Sequence, residues 1–426
     1  MATIYKGNIL FTKTQHQFEI IENGYIVVED GKVVQVYTTL PTAYQHAELI
    51  DYSGKLIIPG MNDMHVHAPQ FRNLGIAMDM ELLPWLQNYT FPEEMKYADV
   101  NYADKMYRRF IKSIWKVGTT RTVAFGTVHK QSTAHLMKLM HAAGLGGMIG
   151  KVNMNRNCPD GLCETVEDAI ADAQELIDVW DKEDNLVRPI LTPRFIPSCT
   201  PEMLKALGDF AMSNNLKVQS HLSENKGEIA WVKELEPEST CYGDAYNRYN
   251  LFGQTPTLMA HCCYTEGEEL ELMNKNQVFV VHCPTSNCNL GSGKSPIRNF
   301  LDKNIPVALG SDVSGGHDLS IFKVMVYAIQ VSKLWYANSD KKMPFLTLPE
   351  VFYMATKSGG SFFGKVGSFE PGYEFDALVI DDTELNHDNY TLLERLERFI
   401  YIGDDRQIEH RYVRGKRIDE PTFENV

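Results

Sequence analysis

Eight short apolar runs alternating with helical patterns, flanked by β-rich segments at both ends, predict an α/β chain. Its core is a (β/α)8 TIM-type barrel, with a small β-sandwich-like domain formed by both chain ends. A third observation agrees with this class. Histidines and one aspartate stand at the ends of several runs, where parallel barrels carry their chemistry.

The opening segments IYKGNILFT, GYIVVEDGKVVQVY and KLIIPG alternate in polarity and are punctuated by turn pairs such as Asp30-Gly31 and Ser53-Gly54. The closing stretch FDALVIDD and RFIYIGDDRQIEHRYVRGKRI has the same texture. Residues 1–59 and 368–426 are therefore expected to pair into one composite β domain around an insert, 60–367. Within the insert the runs MNDMHVH, TTRTVAFG, GMIGKVNM, LVRPILTPRF, LKVQSHLSE, PTLMAHC, QVFVVHC and IPVALGSD read as buried strands. Stretches such as PEMLKALGDFAMSNN and EGEELELMNKN read as the intervening helices.

The 426 residues suffice for a barrel plus an accessory domain. An excess of 55 acidic over 41 basic side chains, net −14, repels polyanions and so argues against nucleic acid or an anionic membrane surface as partner. A small neutral ligand fits better. The start lacks the apolar core of a signal peptide and no run approaches a membrane helix, while the eight cysteines are sparse; a cytoplasmic location is expected. Cys158 with Cys163 and Cys283 with Cys288 lack the second half of a zinc knuckle and are expected as buried free thiols.

His65 and His67 flank Val66, and a period of two puts both imidazoles on one face of a strand, here the barrel interior. His221 ends the fifth run, His261 the sixth and Asp312 the eighth, after Gly310-Ser311. A lone strand histidine is usually a core residue, but five strand-end coincidences at one rim point to a metal. Imidazole and carboxylate suit zinc or ferrous iron. Glu224, three residues beyond His221, lies in the following loop, where a carboxylate can face substrate and shuttle protons. His282 ends the seventh run and is expected behind or beside the substrate rather than as a ligand.

The segments PGMNDMHVHAPQ, SHLSEN, AHCCYT, HCPTSN and ALGSDVSGG resemble the metal motifs of the amidohydrolase superfamily in order and spacing. The resemblance implies one divalent metal, zinc by default with iron as alternative, on His65, His67, His221 and Asp312, with His261 beside the reacting water. The fourth run ends in Thr192-Pro193-Arg194-Phe195 without the lysine of two-metal members, which places the chain with the single-metal deaminases. Within them, HAPQFRNLGIAMDMELLPWLQNYTFPEE (67–94) and LTPRFIPSCT (191–200) are similar to the guanine deaminases. That similarity implies guanine as substrate, hydrolysed to xanthine and ammonia, and a homodimer. It also implies that Gln70, Arg194 and the backbone of Phe195 hold the purine, with Glu224, His261 and Asp312 at its reacting edge. An arginine fork matches the adjacent acceptors at the six-ring carbonyl and N7 of guanine.

Trp85, Tyr89 and Phe91 have spacings that suit packing, with one of them free to stack on a base. The stretch CNLGSGKS lacks the first glycine of a phosphate-binding loop, and no Pro-Cys pair exists for a cytidine-type zinc site. The alternatives are a related deaminase acting on another aminated heterocycle such as 8-oxoguanine, or a silent binding protein on the same fold.

Overall fold

The computed structural model describes residues 2–386 and 388–424. Both ends of the chain meet in one seven-stranded sheet. Its strands are β1 (Thr3–Thr14), β2 (Gln17–Glu29), β3 (Lys32–Tyr37), β4 (Glu48–Pro59) and, from the far end, β15 (Ala377–Ile380), β16 (Ile408–Val413) and β17 (Lys416–Arg417). They lie in the order β17-β16-β15-β4-β1-β2-β3. Strict alternation makes the sheet two-sided. Leu10, Leu56, Ile58, Leu378 and Ile380 pack toward the rest of the chain, whereas Ile9, Phe11, Ile57, Ala377 and Val379 join Tyr5, Phe375 and Tyr412 in a separate aromatic-rich core.

Each of the eight expected runs forms strand. They are β5 (Met61–His67), β6 (Thr119–Phe125), β7 (Gly146–Gly150) continued by β8 (Val152–Asn153), β9 (Val187–Pro189) continued by β10 (Thr192–Pro193), β11 (Val218–Leu222), β12 (Thr257–His261), β13 (Phe279–His282) and β14 (Val307–Leu309). Parallel pairing gives two four-stranded arcs, β5-β6-β7-β9 and β11-β12-β13-β14, with β8 paired to β10. The arcs join at one seam through a parallel bridge between Leu191 and Val218. At the other seam Asp312 N–H donates to the His65 carbonyl (2.8 Å) and His67 N–H to the Val313 carbonyl (2.9 Å). The second seam is therefore made by the expected metal-site residues themselves.

Met64, Val123, Met148, Ile190, Leu258, Val281 and Ala308 fill the barrel interior, so the ring is a packed core rather than a pore. Amphipathic helices cover it outside. In helix Val100–Lys116 the buried residues Ala103, Met106, Tyr107, Phe110, Ile111 and Ile114 recur at helical spacing, and the Asp99 carboxylate caps the N–H of Asn101. Among the described residues, no helix is long and apolar enough to cross a membrane.

Two cysteine expectations are corrected. Cys158 and Cys163 form a disulfide, because the turn Asp160–Leu162 folds the chain back until their Cα atoms are 6.0 Å apart. Cys288 is free but exposed; Cys283 is free and buried as expected, and Cys262 and Cys263 are free and buried as well.

Candidate active site

The strand ends converge at one rim. His65 Nε2 lies 3.2 Å from Asp312 Oδ1 and His67 Nε2 lies 3.4 Å from the same oxygen. His67 Nε2 and His221 Nε2 face each other at 3.2 Å. On the other side of Asp312, His261 Nε2 stands 3.7 Å from Oδ2 and 3.5 Å from Glu224 Oε2. All six side chains are buried. Period-two geometry puts His65 and His67 on the same face of β5, and Gly310 lets them approach β14: a Cβ there would stand 2.8 Å from that of His65.

His261 and Asp312 both hold left-handed backbone conformations, φ 73° and 47°, at the ends of β12 and β14. Such conformations cost non-glycine residues of the order of 1–3 kcal/mol, and they gather at functional sites where the surrounding fold imposes them. Here they turn both side chains inward at the rim.

Hydrogen bonds hold the rings in place. The Arg194 carbonyl lies 2.6 Å from His221 Nδ1, and Asn287 Oδ1 lies 2.9 Å from His261 Nδ1. Because both partners are oxygens that accept, the two imidazoles donate from Nδ1–H and turn Nε2 toward the centre. Beneath them Asp63 accepts from the Ser311 N–H (2.9 Å) and hydroxyl (2.5 Å), tying β5 to the strand that carries Asp312.

This donor set fits a divalent cation. Neither ring nitrogen of His65, nor Nδ1 of His67, has an oriented hydrogen-bond partner although both rings are buried. The Nε2 atoms of His67 and His221, 3.2 Å apart, can both present lone pairs to a cation seated beside them. The ligand atoms of His65, His67 and Asp312, and those of His65, His221 and His261, lie within 4.8 Å of one another, so His65 links both groups. Cys283 Sγ, expected from the sequence only as a buried thiol, forms a third such group with His261 and Asp312.

The electrostatics separate the roles. Burial pulls the His67 and His221 imidazoles well below their ordinary range and His65 down as well, keeping them neutral as ligands must be. Burial would do the same to His261, but Glu224 and Asp312 beside it outweigh burial and raise it. For Asp312, burial works upward yet His65 and His261 hold it below the usual carboxylate range. Glu224 moves the other way: burial pushes it up to about 7, against the pull of His261. Two buried carboxyl groups of opposed tendency at one rim are the pattern of a base paired with an acid.

Over this rim opens a cavity of about 430 Å³, counting its mouth. Trp85, Leu82, Leu86 and Leu290 form its apolar wall, and Gln70, Arg194, Phe195 and Glu224 supply polar groups. Trp85 thus reaches the cavity, while Phe91 lies under the Arg194 guanidinium, 5.2 Å from ring centre to Cζ. The Phe195 carbonyl is taken by the N–H and hydroxyl of Ser198, at 3.1 and 2.9 Å. His282 is buried but does not line this cavity, and burial holds it down at about 3.

Several polar residues here carry no sequence signal. Ser292 donates to Glu224 Oε1 at 3.0 Å. Glu228, also in the cavity wall, accepts from the Glu224 N–H (3.0 Å) and the Tyr242 hydroxyl (2.7 Å), fixing the loop that presents Glu224. Glu94 accepts from both Gln70 and Arg194. Asn225 and Glu228 form the capping box at the start of helix Lys226–Leu235.

The Amidohydrolase family profile matches residues 56–418. The chain is 54% identical to guanine deaminase from C. acetobutylicum, whose crystal structure has guanine bound in the active site. The match has a TM-score of 0.97 and covers 98% of this chain and 100% of that one. It is 36% identical to the guanine deaminase of Dictyostelium discoideum, over 97% of this chain and 98% of the relative, and 33% identical to that of Homo sapiens, over 98% and 97%. Motif, barrel and cavity agree with these likenesses, and the chain belongs to the amidohydrolase family.

Proposed function

We propose that the protein is a guanine deaminase, converting guanine and water to xanthine and ammonia. The observation that carries this reading is the pairing of a hydrolytic rim, His65, His67, His221 and Asp312, with a cavity whose polar groups are Gln70, Arg194 and Phe195. The likeness to guanine deaminases along nearly the whole chain supports it.

His65, His67, His221 and Asp312 would hold one divalent cation; three imidazoles and a carboxylate suit zinc first and ferrous iron second. When bound, such a cation supplies acidified water at neutral pH. Asp312 accepts a proton from the attacking water, and His261, bridging Asp312 and Glu224, orients the water between them. Glu224, raised to about 7, gives its proton to the purine ring nitrogen, takes the proton of the newly added hydroxyl and passes it to the amine, which leaves as ammonia; the proton held by Asp312 then restores Glu224. Arg194, the Phe195 backbone and Gln70 supply the polar contacts that hold the base, with the apolar wall excluding water. The division into 1–59 with 368–426 and 60–367, a homodimer and a cytoplasmic location complete the reading, the last two open to sedimentation and cell fractionation.

Ultraviolet monitoring of guanine consumption by metal-loaded protein, with adenine, 8-oxoguanine and cytosine as comparisons, tests the substrate. Turnover of guanine far above the others is expected. Turnover of another heterocycle with guanine inert would reject it.

A further inference from the structure

Gln70, in the turn Ala68–Asn73 after β5, and Arg194, just beyond the end of β10, come from distant parts of the chain, yet they share one carboxylate. Gln70 Nε2 donates to Glu94 Oε1 at 2.9 Å, and Arg194 donates to Glu94 Oε2 at 2.6 Å. Glu94 sits in the short helix Phe91–Glu94, is 1% exposed, and does not itself line the cavity. Burying a carboxylate is costly unless it is paired and hydrogen-bonded. Here each oxygen has one partner, and both partners are groups that face the ligand.

The consequence is chemical polarity. An ionised carboxylate only accepts, so the Gln70 side chain must turn its amide nitrogen toward Glu94 and its carbonyl away. The carbonyl indeed turns toward Ser314, whose N–H lies 3.4 Å from Gln70 Oε1. An unrestrained glutamine could flip and interchange donor and acceptor; this one is fixed. Likewise one terminal N–H of Arg194 is committed to Glu94 and the guanidinium plane is clamped over Phe91, which leaves the remaining N–H groups in a set direction.

We propose that Glu94 is the positioning residue that sets substrate specificity, by fixing the donor and acceptor directions of Gln70 and Arg194 so that the cavity accepts a purine with an acceptor at position 6 and rejects one with an amino donor there. The inference rests on the guanine reading. It deepens that reading by naming a residue that never touches the base. A site that hydrogen-bonds its substrate through oriented buried groups rejects the mismatched analogue strongly, because those groups are then left unpaired.

Glu94→Gln keeps the shape but offers one acceptor and one donor, so one of the two partners is released. The assay compares guanine with 2,6-diaminopurine, which replaces the 6-carbonyl by an amino group. The wild-type protein should strongly prefer guanine. E94Q should raise KM for guanine on the order of ten- to a hundredfold, the loss expected for one charge-assisted hydrogen bond, with kcat changed far less. The guanine-to-diaminopurine ratio of kcat/KM should fall about tenfold or more. Equal loss on both substrates, or loss confined to kcat, would overturn the proposal and leave Glu94 a packing residue. Should E94Q not fold, Glu94→Asp serves instead. It keeps the charge but is too short to reach both partners, so the ratio must again fall, and an unchanged ratio overturns the proposal. Wild-type protein inert toward guanine would reject the substrate reading instead, a result visible before any variant is made.

Discussion

His67 and His221, carried by strands on opposite sides of the barrel, point their Nε2 atoms at each other across 3.2 Å in a buried site. Burial holds both rings below their ordinary pKa, so neither is an imidazolium, and the Arg194 carbonyl takes the Nδ1–H of His221, which leaves a lone pair on its Nε2 facing His67 across the contact. A cation can take up that lone pair, and binding to the folded state alone stabilises that state.

Chelation should therefore lower the thermal midpoint by roughly 5–10 °C, the size expected for a ligand held well above its dissociation constant in a chain of this length. Differential scanning fluorimetry with and without chelator, followed by zinc or ferrous iron, checks it. An unchanged midpoint after verified metal removal would contradict the ligand assignment.

Glu224 is buried, hydrogen-bonded by Ser292, and 3.5 Å from His261. Glu224→Gln keeps the volume and loses the proton shuttle. Bound metal per chain should stay at the wild-type level while kcat falls on the order of a hundred- to ten-thousandfold. Elemental analysis beside steady-state kinetics separates these readouts, and a fully active variant would remove Glu224 from the mechanism.

Gly310 permits the close approach of β14 to His65. A Cβ at that position would meet His65 Cβ and Val281 Cγ1 at 2.8 Å, so Gly310→Ala must displace one of them. Metal affinity should drop on the order of tenfold or more, as when a group that orients a ligand is disturbed. Competition with a chromogenic chelator measures it; wild-type affinity would show that the strand end yields without moving the histidine.

Lys217 lies outside the site, against the ring and carbonyl of Phe362. Burial, with Arg188 nearby, pulls its ammonium down to about 8. The unfolded chain keeps that proton up to the ordinary value, so between about pH 8 and 10.5 it binds more protons than the folded chain and stability rises with pH. Lys217→Met should remove this rise and add about 1–3 kcal/mol at pH 7. Urea unfolding at pH 7 and pH 10 tests both statements; a destabilised variant at pH 7 would mean that the contact with Phe362 outweighs desolvation.

The barrel and its histidine-rich rim were legible in the sequence for a physical reason. Strands buried on both faces are written as continuous apolar runs, and their ends are where polar residues stop being tolerated unless they have work. HVH, SHL, AHC and GSD stand out against that background. Glu94 does not: in FPEEMK it reads as a solvated helix face, and only a contact spanning 100 residues reveals it as the partner of Arg194. Arg194 shows the same limit, since its ion pair with Glu94 joins residues far apart in the sequence. Asp63, Asn287 and Glu228 act through other side chains, so their roles exist only in three dimensions. The Cys158–Cys163 bridge escaped because its spacing matches no metal pattern and its closure depends on one local turn.

The most direct test of the account is guanine hydrolysis in heavy-oxygen water, with product mass and ammonia measured together. The account predicts xanthine carrying one heavy oxygen atom and one equivalent of ammonia per guanine consumed. Guanine left intact by metal-loaded protein, or a product without the label, would contradict it.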